Sequence, residues 1–250
     1  MNSIVENLPT FMTNEHFAEG SVCSLGEDAA RHLKVLRLAV GAIVGLRDGA
    51  GLAGRAKVVK LAKGKAHVEV LNAGMQPQLP DVHLLVPVAD RERLLWLAEK
   101  ASEFGLTSWR PVLWRRSRSV APRGEGPAFQ AKVRARMMSA LAQSHGAWLP
   151  QIFPEANLER ALLAAPPGDR IVLDGEGEPL VGRASIALVP PVVIALGPEG
   201  GLEPDELDAL KSAGFRSASM GSTILRFETA GVAALAMART SLGTLTPPPS

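Results

Sequence analysis

Leu196-Gly197-Pro198-Glu199-Gly200-Gly201-Leu202, running on into Glu203-Pro204-Asp205-Glu206-Leu207, is the stretch on which the fold turns. Before it lies Val192 to Gly197, a short, wholly apolar run of the kind that fills the centre of a sheet. After it comes the grammar of a helix start: a cap at Glu203, proline at the first helical position and acids in the first turn. A buried strand therefore passes through a glycine turn into a helix. Three glycines within five residues let a ligand meet bare backbone N–H and C=O groups. No Gly-Lys-Ser/Thr of a phosphate-binding loop is present, and acids stand where phosphates would bind, so a triphosphate is not expected here.

A second segment repeats the pattern. Met220-Gly221-Ser222-Thr223-Ile224-Leu225-Arg226-Phe227-Glu228-Thr229-Ala230-Gly231 follows a strand at Phe215 to Met220 and leads into a helix over Phe227 to Leu242. Arg226 and Glu228 fall at the entrance of that helix. A guanidinium there can hold a base or a phosphate, and a carboxylate can accept a proton or orient its neighbour. The helix itself is rich in Ala and Gly, which permits close packing against another backbone or subunit.

Strands and helices alternate through the rest of this half. Val82 to Ala89 reads as a strand, Arg91 to Phe104 as a helix, Arg110 to Trp114 as a strand, Pro127 to His145 as a helix and Arg170 to Asp174 as a strand. That alternation predicts a mostly parallel sheet covered on both faces. Upstream the period changes. From Ser21 to Leu71, β-type runs (Ala42 to Arg47, Ala53 to Leu61, Ala66 to Leu71) are punctuated by Asp48-Gly49-Ala50-Gly51 and Ala62-Lys63-Gly64-Lys65, with one helical insert, Glu27 to Leu38. This predicts a small β-barrel. The Pro-, Gly- and Gln-rich stretch Ala73 to Pro80 reads as a linker, dividing the chain into residues 1–74 and 75–250.

With 46% hydrophobic residues in 250, the chain has enough apolar content for one large core or two small ones. Its apolar runs fall short of a bilayer span, and one cysteine, Cys23, allows neither an internal disulfide nor a cysteine-based zinc site. Five histidines show no ligand spacing. These features predict a cytoplasmic protein with no membrane segment and no metal. The formal charge of +2 is unevenly spread: nine Lys or Arg against Asp48 between Arg31 and Lys65, and eight against Glu125 between Arg110 and Arg136. Two such segments favour a phosphate backbone as partner, with Arg31, Lys34, Arg37, Arg115, Arg116, Arg118, Lys132 and Arg136 as candidate contacts to it.

Taken together, the two glycine segments resemble the signature of the RsmE family of 16S rRNA (uracil-N(3))-methyltransferases, in the SPOUT superfamily. The family's Gly-Pro-Glu-Gly-Gly-hydrophobic element stands intact at Gly197 to Leu202, and its Gly-x-Arg-Ile-Leu-Arg-x-Glu-Thr-Ala element stands at Gly221 to Ala230 with Thr223 in place of the first arginine. Likeness continues at Lys100 to Gly105, at Pro150 and at His32-Leu33-x-x-Leu36-Arg37. The chain departs from the family at Trp114-Arg115-Arg116-Ser117, where Ser-Glu-Arg-Ser is usual, and at Ala142-Gln143-Ser144, where Glu-Gln precedes a small residue. An arginine common just before Pro150 is also missing from His145 to Leu149.

The resemblance implies a SPOUT-type α/β domain with a trefoil-knotted, mostly parallel sheet, preceded by a small PUA-like β-barrel that grips RNA. It implies a homodimer acting on ribosomal RNA of the small subunit. It also implies that S-adenosylmethionine lies bent among three loops. The loops here are Asp174 to Glu178, Leu196 to Gly201 and Met220 to Leu225, and the implied cofactor residues are Leu173, Asp174 and Gly175; Leu196, Gly197, Pro198, Glu199, Gly200 and Gly201; and Met220, Gly221, Ser222, Ile224 and Leu225, with Thr229 beyond. Methylating uracil N3 requires loss of a weakly acidic imide proton, which makes Arg226 the candidate anion stabiliser and Glu228 the candidate base or orienting group. Arg115, Arg116 or Arg118 is expected to supply the charge the family draws from the position of Thr223. An RNA-binding paralogue with altered target or lost activity is the alternative, motivated by the substitutions. A nucleotide-dependent oxidoreductase has only Asp174-Gly175-Glu176-Gly177 in its favour, and that glycine spacing fails the dinucleotide fingerprint.

Overall fold

The computed structural model describes residues 8–119, 123–180 and 188–244. The chain divides into two compact units, Met1–Gln78 with Met138–Leu149, and Leu79–Met137 with Pro150–Ser250.

In the first unit β1 (Thr10–Met12), β2 (Val22–Leu25), α1 (Glu27–Val35), β3 (Ile43–Arg47), β4 (Leu52–Ala62) and β5 (Lys65–Met75) follow one another. The strands form one sheet in the order β1-β3-β4-β5-β2. Although β1 and β2 sit at opposite ends of this ladder, Phe11, Cys23 and Leu25 share a core with Val44, Leu46, Val58 and Val68. The sheet must therefore curl, which is the form the expected barrel takes. Inward apolar residues alternate with outward Arg55, Lys57 and Lys60 along β4, as a half-buried strand requires. The helix closes one side with Ala30 and Leu33. It stops at Val35, short of the expected Leu38, because Arg37 enters the left-handed region at φ 55° and the N–H of Leu38 turns back to the carbonyl of Leu33. Gly51 (φ 100°) lies beneath the Trp148 indole, where a Cβ would stand 2.3 Å from the ring, and Trp148 Nε1 donates to the Gln76 carbonyl at 3.1 Å.

The second unit contains β6 (Val82–Pro87), α2 (Arg91–Glu103), β7 (Ser108–Val112), α3 (Pro127–Gln143), β8 (Gln151–Ile152), α4 (Leu158–Leu163), β9 (Asp169–Pro179), β10 (Val192–Ala195), α5 (Pro204–Ser212), β11 (Phe215–Ser219) and α6 (Phe227–Ser241), with α3 passing its last residues to the first unit. Its six strands run β11-β9-β10-β6-β7-β8, every neighbouring pair parallel. Strand β10 is buried throughout, as its apolar sequence requires. Strand β7 covers Ser108–Val112 rather than Arg110 to Trp114, because Trp109 and Val112 are the residues that bury in the sheet while Trp114 enters the core beyond the strand.

Helices α2 and α6 pack closely. A Cβ at Gly231 would come within 2.9 Å of Leu196 Cδ1 and 3.0 Å of Leu97 Cδ1, so glycine sets the approach. Arg239, only 1% exposed, ties α6 to the end of α2 by donating to the Phe104 carbonyl at 2.8 Å, the Pro80 carbonyl at 2.5 Å and the Gly105 carbonyl. Burial lowers its pKa to about 10, but three carbonyl partners satisfy the guanidinium.

Candidate active site

Ligands of open parallel sheets bind outside the carboxyl ends of the strands, and three chain segments converge there on neighbouring β9, β10 and β11. The first is a bulge. Strand β11 pairs Ser217 with Val172 and then Ala218 with Glu178, so residues 173–177 are looped out of the ladder within β9. Sequence alone ends that strand at Asp174, whereas the ladder resumes after the loop. Gly177 makes the return possible, since a Cβ there would sit 2.5 Å from Ala218 N and from Ser217 C.

The second segment is the glycine turn after β10. The N–H of Leu196 donates to the Leu85 carbonyl at 2.9 Å, and that of Gly201 to Pro198 at 2.8 Å, closing a turn in which Gly201 has φ 75°. The predicted helix start is present: Pro204 opens α5, and Glu206 Oε2 accepts the N–H of the N-cap Glu203 at 2.9 Å. The third segment leads from β11 into α6, whose N-cap is Arg226.

These segments enclose a cavity of about 640 Å3, lined by Leu173, Asp174 and Gly175, by Leu196, Gly197, Pro198, Glu199, Gly201, Leu202 and Leu207, and by Ile224, Leu225, Arg226, Phe227 and Ala230, with Arg93 from α2. Its size falls within the range for small-molecule sites, about 300–1,000 Å3. The wall combines aliphatic side chains with two cations, Arg93 and Arg226, and two carboxylates, Asp174 and Glu199. Asp174 Oδ1 accepts the N–H of Glu176 at 3.2 Å. Among the described residues no group of His, Cys, Asp and Glu is arranged to hold a metal ion, and no helix is long and apolar enough to cross a membrane.

Most of the expected cofactor residues thus meet at one cavity, but Gly200, Met220, Gly221, Ser222 and Thr229 stand outside its lining. Gly200 instead faces Arg116, whose Cβ lies 3.1 Å from where a Cβ on Gly200 would be. Of the expected catalytic pair, Arg226 lines the cavity and Glu228 does not. Glu228 is 8% exposed, its Oε2 buried without a hydrogen-bond partner and its Oε1 3.9 Å from Arg93 Nε. Sequence reasoning missed Arg93, Leu202, Leu207, Phe227 and Ala230. Arg93 carries no motif, and only the position of β6 beside β10 brings it to the cavity.

The expected RNA contacts separate into two kinds. Lys34, Arg37 and Lys132 are exposed, and Arg31 is exposed beside Glu27 and Asp28 of its own helix. Arg136 is half-exposed and bonded to Glu99 at 3.1 Å. Arg115 and Arg116 are engaged with α5: Arg115 pairs with Asp205 and its backbone N–H donates to Glu206 Oε1 at 2.9 Å, while Arg116 donates to Glu203 Oε1 at 2.8 Å and to the Gly200 carbonyl at 2.6 Å. The Arg116 guanidinium holds the Glu203 carboxyl below the usual glutamate range. The Arg118 side chain lies outside the described residues.

The profile of the RNA methyltransferase domain matches residues 76–239, and that of the RNA methyltransferase PUA domain matches residues 25–71. The ribosomal RNA small subunit methyltransferase E of Mycobacterium bovis is 28% identical over 221 residues, covering 84% of this chain and 82% of its own length. The protein of the same name from Bacillus subtilis is 24% identical, covering 90% and 92%. The crystal structure of ribosomal RNA small subunit methyltransferase E from Neisseria gonorrhoeae, bound to S-adenosyl methionine, superimposes with a TM-score of 0.82 at 27% identity over 93% of this chain and 97% of its own. A Legionella pneumophila chain shares the fold, with a TM-score of 0.84 at 20% identity.

Proposed function

The chain belongs to the RNA methyltransferase family, and from that premise we propose that it transfers a methyl group from S-adenosylmethionine to N3 of a uridine in 16S ribosomal RNA of the small subunit. The observation that carries this proposal is the convergence of the three segments on one cavity at the carboxyl ends of β9, β10 and β11. The residues fit the cofactor. Leu196, Leu202, Leu207, Ile224 and Leu225 offer an aliphatic surface for a purine, Asp174 suits an ammonium, and Arg226 suits a carboxylate or an anionic base, while Arg93 and Glu199 pair with each other at the wall. Bound S-adenosylmethionine supplies a methyl group already activated on a sulfonium.

The protein's part is to orient the target nitrogen and to stabilise the anion left when the imide proton departs. Arg226, fixed at the start of α6 and lining the cavity, is assigned that stabilising role. Glu228 is buried behind the wall beside Arg93, so its service to the site is orientation rather than contact with the base. Residues 1–74 are assigned to gripping RNA through the exposed Arg31, Lys34 and Arg37, with Lys132 adding a contact from α3. We further assign the chain to the cytoplasm as a homodimer, with its parallel sheet trefoil-knotted as the family resemblance implies. The small-residue helix α6 and the fully exposed Ile224 offer the dimer an apolar face. Light scattering tests that assignment, since a monomeric mass at high concentration contradicts it.

To test the activity, small subunits from cells lacking this modification are incubated with protein and labelled donor, and the RNA is digested to nucleosides. Label in 3-methyluridine supports the proposal. Label on another base, or none from protein that binds the donor, overturns it.

A further inference from the structure

Arg93 stands in the first turn of α2, where its backbone N–H is held by the N-cap carboxylate, Asp90 Oδ1, at 3.0 Å. Its guanidinium lines the cavity and pairs through Nη1 with Glu199, in the glycine turn after β10. On the other side its Nε lies 3.9 Å from Oε1 of Glu228, in the first turn of α6. One cation thus stands between carboxylates from two segments that are distant in sequence. The pair with Glu228 is the less exposed, with side-chain accessibilities of 30% for Arg93 and 11% for Glu228. A carboxylate buried to that degree with one oxygen unpartnered is costly to keep charged without a neighbouring cation.

We propose that Arg93 is a positioning residue of the donor site, clasping the turn that carries Glu199 to the start of the helix that carries Arg226 and Glu228. This rests on the methyltransferase function proposed above. The planar guanidinium presents several donors in fixed directions, so it can serve two carboxylates together. Neutralising it leaves Glu199 at the wall and Glu228 behind it as like charges, with the buried one unpaired. The turn and the helix start then lose their common anchor. Donor affinity falls, and transfer falls further, because alignment at the reacting atoms depends on the same anchor.

The test measures three quantities: S-adenosylhomocysteine affinity by calorimetry, single-turnover transfer, and amide exchange of Gly200 and Gly201 in ligand-free protein. Arg93→Met is expected to weaken binding about 10- to 100-fold, the loss typical of a charge-assisted contact, and to speed exchange at both amides. Arg93→Lys restores binding to within about threefold of wild type, because a cation remains. Adding Glu228→Gln to Arg93→Met recovers part of the loss, since no unpaired charge is then buried. Should Arg93→Met not fold, Arg93→Gln carries the same expectations. Wild-type affinity and exchange in the neutral variant, or losses that simply multiply in the double variant, overturn the clasp while leaving the methyltransferase function intact. A wild-type protein that binds no donor overturns both.

Discussion

Replacing Gly177 by alanine places a methyl carbon 2.5 Å from Ala218 N, 2.5 Å from Ser217 C and 2.7 Å from Ala218 Cα. All three are backbone atoms of β11, so no side-chain rotation relieves the overlap, and the bulge or the strand has to move. Overpacking of this kind costs about 1–3 kcal/mol. For a chain of this size each kcal/mol shifts the unfolding midpoint by about 2–4 °C, which gives a fall of roughly 2–12 °C. Leu173, Asp174 and Gly175 hang on the same bulge and line the cavity, so donor affinity is expected to fall with the midpoint. Gly175→Ala is the control for the stability half. Its Cβ meets nothing within 4 Å, and the midpoint should move by no more than about 2 °C. Thermal unfolding by circular dichroism and calorimetry with S-adenosylhomocysteine measure both effects. If Gly177→Ala melts with the wild type and binds the donor equally well, the bulge does not position the first wall of the cavity.

Arg226→Ala should leave donor affinity within a few-fold while lowering transfer on small subunits by about 100- to 1000-fold, the usual cost of one lost electrostatic contact to a developing anion. Near-normal turnover would make Arg226 structural. Arg116→Ala should weaken donor binding, through the freed Gly200 carbonyl and Glu203, without changing the salt dependence of RNA binding; a flatter salt slope would return Arg116 to the RNA surface. In the same variant the Glu203 carboxyl, held below its ordinary value of 4.5 by Arg116, should titrate higher by NMR. A depressed carboxyl pKa stabilises the turn above that ordinary value, and the contribution fades as acid protonates the group. Thr223→Arg should raise RNA affinity, because Arg115 and Arg116 are bound to Asp205 and Glu203 and do not supply the missing charge; unchanged affinity would mean another residue already does.

The strand–turn–helix at Leu196 to Leu207 was legible because each of its signals is local: an apolar run, a glycine with positive φ and a capped helix start. Alternation likewise disclosed the parallel sheet. What sequence hid was set by pairing across the chain. The looped-out residues 173–177 follow from the register of β9 against β11, which no pattern within β9 reveals. β8, two residues long, and α4, six, are too short to carry a period. Arg93 looked like one more charge on a helix surface, and it becomes part of the site only because β6 neighbours β10. Arg115 and Arg116 read as cations for phosphate, since the acids that neutralise them lie some ninety residues away, at the start of α5. Glu228 stands in a motif legible in the sequence, but its depth of burial depends on how α6 seats against α2.

The central claim is most directly tested by mass spectrometry of nucleosides and fragments of 16S ribosomal RNA from cells with and without this gene. If the chain is that methyltransferase, one uridine carries 3-methylation in the first sample and is unmodified in the second, with recovery on returning the wild-type gene and none on returning Arg226→Ala. An identical modification pattern in both samples would contradict it.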